Sequence, residues 1–336
     1  MNYLYFFLVN ILLIICVNYV QHKLNFLLDL SLSHKIKNIL KIPLSGGIYI
    51  LLSLAICNYF YDQEINDNLI VILITFFVLG FYSDTKPNFA PALRLIIQLF
   101  LIISFIYFCE IKIEETKIFF IDNFLSNVIF NLIFTSLCII VLLNGSNFID
   151  GVNNNLVGYF IIVLILISNF NYKFDINFII IILFTFYLFN FFGKCFLGDN
   201  GVYVLSIMMS YIIIDIININ SINPIFVINL LWYPAFENLF SIVRRLISDD
   251  KIDEADKKHL HSLLYRILFK LEFKKLSNSL TGIIINIFNF FSLYLSLKFL
   301  NNNQMLVTIL VINIFIYLLT YFKLINILSN RSVSKK

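Results

Sequence analysis

Leu143–Gly158 reads LNGSNFIDGVNNNLVG, a polar, amide-rich insert between two long apolar runs. Asn144, Asn147 and Asp150 recur at three-residue spacing, so a helix continuing through them would fan their side chains over one broad face. Oxygen-bearing groups at the mouth of a membrane helix suit a hydrated cation and a phosphate better than they suit lipid. The plain alternative is a polar connector in an Asn-rich chain.

Outward from this insert the chain is apolar almost throughout. It has 336 residues, 60% hydrophobic and 13% charged, with a mean hydropathy of +0.90, far outside the soluble globular range. Apolar runs of roughly the length that spans a bilayer fall near 3–20, 44–61, 68–82, 92–109, 127–143, 155–169, 174–192, 201–217, 225–243, 280–298 and 304–322. The first run lacks a basic leader and a small-residue cleavage site, and reads as an anchor. Lys and Arg collect in cytoplasmic loops. Of the 24 here, all but Lys112, Lys117, Lys173 and Lys298 fall on one side if the N-terminus is outside. The expected fold is therefore an all-α polytopic membrane protein of about eleven transmembrane helices. It is N-out and C-in, with its polar motifs in cytoplasmic loops, as a single integral-membrane domain over 1–336. Nothing resembles a nucleic-acid module, and the cysteines show neither metal-ligand nor disulfide spacing.

The remaining polar motifs lie in those loops. Pro43-Leu44-Ser45-Gly46-Gly47 leads into the second run as a tight, closely packed turn. Gly80-Phe81-Tyr82-Ser83-Asp84-Thr85-Lys86-Pro87 ends the third and Pro91-Ala92-Leu93-Arg94 begins the fourth. Asp84 and Arg94 read either as an ordinary ion pair or as a phosphate site. In Gly193-Lys194-Cys195-Phe196-Leu197-Gly198-Asp199-Asn200-Gly201, glycines on both sides of an acid would present its oxygen and free amide donors for phosphate. A plain Gly-Asp turn is the alternative. Glu237, inside an apolar run that ends at Arg244-Arg245, calls for a partner, with either arginine the expected one. His259 and His261 can act together only if the backbone is extended there. From Leu260 onward a leucine-rich stripe with Arg266, Lys270, Lys274 and Lys275 reads as a basic amphipathic helix on the inner leaflet. The last two runs read as packing.

Topology assigned from Lys and Arg alone puts Asp84, Asn147, Asp150, Asp199, His259 and His261 on one side, which predicts a shared cytoplasmic pocket. Taken in order, PLSGG, GF-x-x-D…P-x-x-R, N-x-x-N-x-x-DG-x-N, F-x-GD-x-G, P-x-x-E…RR and HLH resemble the polyprenyl-phosphate N-acetylhexosamine-1-phosphate transferases over nearly the whole chain. The resemblance implies a magnesium-dependent enzyme of the bacterial inner membrane, with manganese as a substitute ion. It would join a UDP-N-acetylhexosamine to undecaprenyl phosphate and release UMP, in the first membrane step of a cell-envelope polysaccharide, with a homodimer left open. It assigns Asp199 and Asn147 to the metal and Asn153 to the uracil end. It places Asp150, Asn144 and Lys194 beside the nucleotide, Asp84 and Arg94 at the acidic pair and the base after it, and His259 and His261 near the sugar diphosphate. Arg244 and Arg245 are support for the site. Two positions depart from the family pattern: Ser83 stands for the first acid of a usual pair, and Asn154 for a usual glycine. The single HLH, where some relatives carry a longer histidine run, leans toward a simple UDP-N-acetylhexosamine.

A phosphate monoester with a second pKa of about 6 is largely dianionic at neutral pH, so a strong general base is not obligatory. Asp84 is then expected to orient the acceptor or take its residual proton. The rival readings are a secondary transporter, which predicts internal repeats not seen in this chain, and a homologue that has lost catalysis at Ser83 and Asn154.

Overall fold

The computed structural model describes residues 3–29, 41–61, 63, 65–86, 88–248, 258–271 and 276–333. His34, Lys35, Lys37, Pro87, Asp256, Lys257, Lys274 and Lys275 lie outside the described residues. In chain order come α1 (Tyr3–Leu24), β1 (Leu28–Asp29), β2 (Ile42–Pro43), α2 (Gly46–Phe60), α3 (Asp67–Thr85), α4 (Pro91–Phe108), α5 (Phe119–Leu125) and α6 (Val128–Ile149). There follow α7 (Asn155–Ile167), α8 (Ile176–Phe191), α9 (Gly198–Asn220), α10 (Pro224–Leu230), α11 (Trp232–Ser248), α12 (Leu260–Lys270), α13 (Ser277–Lys298) and α14 (Asn303–Val333).

The protein is an all-α polytopic membrane protein, 80% helical. Every apolar run expected from the sequence carries a helix. Seven of the helices, α1, α3, α4, α6, α9, α13 and α14, are long and apolar enough to cross a membrane unaided. α10 and α11 meet that standard only as a pair bent by 71°. α2, α7 and α8, at 15, 13 and 16 residues, are shorter. α5, absent from the expected pattern, folds within the loop that follows α4, where Asp122 accepts from the Thr116 amide at 2.7 Å.

Helix starts follow the local chemistry. Asn66, Asp175 and Asn223 cap α3, α8 and α10 with their side chains, and Pro91 and Pro224 open α4 and α10. α2, α5, α9, α12 and α13 start without a side-chain cap, and at α9 the residue before the first turn is Leu197.

The chain divides into two compact units. The first, Met1–Leu143 with Ile167–Ser221, is built around α9. That helix is buried on every side from Asn200 to Tyr211, as expected for one apolar all round. α2 and α3 pack along it, α4 packs on α3, and α1 packs on α8. β1 and β2 pair antiparallel with Leu28 opposite Pro43, and the strand leads straight into the PLSGG turn.

The second unit is Asn144–Leu166 with Ile222–Lys336. Here α12 packs on α13 and α14, and α10 packs on the same two helices. The basic amphipathic helix expected on the leaflet is α12. It packs on α13 and α14, with His261 and Leu263 buried and Phe269 and Leu271 exposed.

Candidate active site

In the first unit the polar residues converge on the start of α9. Gly198 has φ +71°, a left-handed conformation that glycine adopts without cost, and it turns the chain sharply into the helix. With no cap of its own, the helix exposes amide donors that need acceptors. Asp84, at the end of α3, supplies them. Its Oδ1 accepts from the Asp199 amide at 2.9 Å, and its Oδ2 accepts from the Asn200 amide at 3.0 Å and from Asn200 Nδ2 at 2.6 Å. A carboxylate at a helix N-terminus also opposes the positive end of the helix dipole. Two of the amides expected to serve phosphate, those of Asp199 and Asn200, are therefore committed within the protein.

Close approach of α3 makes this cap reachable. A Cβ added to Gly80 would stand 2.5 Å from the Asn200 Cα, so only glycine lets the two backbones meet here. The PLSGG turn closes the third side. Leu44 bridges to Phe196, the Phe196 amide donates to the Pro43 carbonyl at 2.9 Å, and the Gly47 amide donates to Asn200 Oδ1 at 2.8 Å.

This scaffold leaves Asp199 as the carboxylate at the rim of the cluster. Ser83 donates to its Oδ2 at 2.5 Å, and Arg94 Nη1 lies 3.5 Å from that oxygen and 3.5 Å from the Ser83 hydroxyl. Arg94 thus pairs with Asp199 and not with Asp84 as the sequence suggested. The side chains of Arg94 and Asp199 are 29% and 26% exposed. An ion pair that open to solvent contributes at most about 1 kcal/mol, so its importance lies in placing charge and not in stability. Both contacts fall on Oδ2, and among the described residues none is made to Oδ1. Magnesium needs only one or two protein carboxylates when a phosphate substrate completes its shell, and Asp199 fits that requirement. Lys194, in the turn before α9, is exposed.

In the second unit α6 does run on through the polar insert. Asn144, Asn147 and Asp150 are half-buried on one face, while Gly145, Ser146 and Ile149 between them are buried. The turn that follows is tied to α13. Asn278 accepts from the Asn153 amide at 3.0 Å and donates to Asn153 Oδ1 at 3.2 Å. Asn286 donates to the carbonyls of Asn154 and Asn155 at 2.8 and 3.1 Å. Asn154 has φ +66°. After glycine, asparagine is among the residues that best tolerate that conformation, which accounts for its standing where the family pattern expects glycine.

The HLH segment is extended at His259, with φ −66° and ψ 150°, so both rings point the same way. They stack in parallel with centroids 5.5 Å apart, Phe148 lies against the first at 5.2 Å, and the second stands against Gly151. Glu237, 1% exposed, does not look to Arg244 or Arg245 as its structural anchor. Its Oε1 lies 2.9 Å from His259 Nδ1 and accepts from the Leu260 amide at 3.4 Å, and its Oε2 accepts from the Tyr317 hydroxyl at 2.6 Å. Arg244 Nη2 donates to the Ser241 hydroxyl at 3.1 Å, and Arg245 closes the last turn of α11. The last two helices, read from sequence as mere packing, contribute Asn278, Asn286 and Tyr317 to these polar ties. Asn200 and Tyr317 carried no sequence signal, the first being one of many asparagines and the second lying deep in an apolar run.

Residues 67–217 match the family model of glycosyl transferase family 4. The resemblance read from the motifs holds over that region, which contains Ser83, Asp84, Arg94, Asn144, Asn147, Asp150, Asn153, Lys194 and Asp199. The match supports a membrane-associated phospho-sugar transferase, whose substrates are of the sugar-nucleotide and lipid-phosphate classes. No curated protein matches the chain significantly.

Proposed function

We propose that the protein transfers N-acetylhexosamine 1-phosphate from a UDP-sugar to undecaprenyl phosphate at the cytoplasmic face of a bacterial inner membrane. The products are undecaprenyl-diphospho-sugar and UMP. The observation that carries this reading is Asp199, held at the rim of a buried scaffold with Arg94 and Ser83 on one oxygen.

The lipid phosphate brings its own nucleophilic oxygen, which is mostly ionised at neutral pH because a phosphate monoester's second pKa is about 6. That oxygen attacks the sugar-bearing phosphorus. The new P–O bond forms as the bond from that phosphorus to the bridging oxygen breaks, and the electron pair departs on UMP. Magnesium held at Asp199 would offset the diphosphate's charge. Arg94 supplies fixed positive charge where negative charge accumulates. Asp84, with both oxygens engaged by α9, holds Asp199 in place and is not needed as a base. The resemblance gives the sugar diphosphate to His259 and His261, whose rings lie buried and parallel in the second unit, the first kept in one orientation by Glu237. The resemblance gives Asn147 to the metal and Asn153, with Asp150, to the nucleotide; Asn144, Asn147 and Asp150 share one half-buried face in the second unit.

Purified protein incubated with magnesium, undecaprenyl phosphate and a panel of UDP-N-acetylhexosamines should release UMP in step with lipid product. Chelation should abolish the release, and Asp199→Asn should lower it by roughly a hundred-fold or more. Failure of every UDP-sugar to yield UMP, with the protein folded, overturns the reading.

A further inference from the structure

The start of α9 depends on one side chain that the proposed chemistry does not use. Asn200 is fully buried, and it meets three groups at once. Its Oδ1 accepts from the Gly47 amide of α2 at 2.8 Å, and its Nδ2 donates to Asp84 Oδ2 of α3 at 2.6 Å and to the Leu44 carbonyl at 3.5 Å. The two strongest demands are opposite in kind. A backbone N–H needs an acceptor and a carboxylate needs a donor, and a carboxamide offers both from one planar group. Aspartate would set a second negative charge against Asp84, and alanine would leave the Gly47 amide and one face of Asp84 unanswered in a buried place.

We propose that Asn200 is a positioning residue for Asp199. By locking the first turn of α9 to α2 and α3, it fixes the direction in which the neighbouring carboxylate leaves the helix, toward Ser83 and Arg94. The inference rests on the reading of Asp199 as the cation-binding carboxylate. Asn200 itself touches no substrate.

The charge pattern supplies a test. In the exchange Asp84→Asn with Asn200→Asp, the carboxamide at 84 donates to the carboxylate at 200 and the Asp199 and Gly47 amides keep their acceptors, while the residue-200 amide gives up the Oδ2 of residue 84 and the Leu44 carbonyl gives up its donor. Binding of Mn2+ to the full-length protein, followed by the paramagnetic signal of free ion without nucleotide, reads Asp199 independently of turnover. Asn200→Asp should weaken Mn2+ binding and lower kcat, each by about ten-fold or more, with KM for the lipid acceptor little changed. The exchange should recover part of both, since it restores the bond between residues 84 and 200 but not the acceptor of the residue-200 amide. A folded exchange variant no better than Asn200→Asp overturns the inference, as does an Asn200→Asp variant that behaves like wild type. If instead Asp199→Asn leaves Mn2+ binding untouched, the reading of Asp199 fails, and that result stands apart from the other two. Should Asn200→Asp alone not fold, recovery of folding together with Mn2+ binding in the exchange supports the inference, and recovery of folding without Mn2+ binding overturns it.

Discussion

Ser83 stands where the family pattern read from the motifs would put the first acid of a pair, and its surroundings show what a hydroxyl does there. A hydroxyl donating at 2.5 Å to a carboxylate, with a guanidinium 3.5 Å from both, neutralises Asp199 instead of repelling it. A second acid there would need a further cation. Ser83→Ala removes a bond to a charged acceptor, of the kind that contributes roughly 1.5–3 kcal/mol. We expect kcat for UMP release to fall by about ten-fold or more, with the melting temperature nearly unchanged because the site is partly open. An unchanged kcat would remove Ser83 from the site. Sequence alone marked Asp199, Arg94 and the histidines, because acids, bases and imidazoles are rare in so apolar a chain. It could not mark Asn200, one of many asparagines. It also paired Arg94 with Asp84, because that choice turns on which oxygen a distant helix has already taken.

At the level of the element, the helices were legible because a hydrophobic run of bilayer length has few other structures open to it. Less legible was the break between α10 and α11, where the apolar run continues past a 71° bend. α11 carries Glu237 into the interior, and there the acid joins three helices through His259, Leu260 and Tyr317. Tyr317→Phe keeps the ring packing against Phe236 and Phe240 but removes a donor 2.6 Å from a buried carboxylate. The cost should be about 1.5–3 kcal/mol, seen as a lower melting temperature in detergent and a higher KM for the UDP-sugar, since His259 loses part of its anchor. A variant matching wild type in both would show that Glu237 is held adequately by the other two contacts.

For the whole molecule, the distribution of basic residues predicts orientation: Lys86, Arg94 and Lys194 lie in segments assigned to the cytoplasm, and Lys117 in one assigned to the outside. In a background stripped of the native cysteines, a cysteine at Lys117 should react with a membrane-impermeant maleimide in intact cells. One at Lys194 should react only after the membrane is opened. The reverse pattern would invert the topology and place the proposed nucleotide chemistry on the wrong side for a cytoplasmic donor. Hydropathy could predict how many runs the chain contains, but not which helices cluster together within each of the two compact units. That division depends on which faces find partners, and such information is carried by side-chain fit and not by hydropathy.

The cap that Asp84 provides has a consequence for how the protein is made. The helix it serves lies 115 residues further along, which at roughly 5–20 residues per second is on the order of ten seconds of synthesis. Through that interval an acid at the edge of the bilayer waits for its donors, and α9 then arrives without any stop signal of its own. A nascent chain truncated before Asn200 therefore has only water and headgroups to answer that carboxylate, and the end of α3 gains its fixed partner late in synthesis.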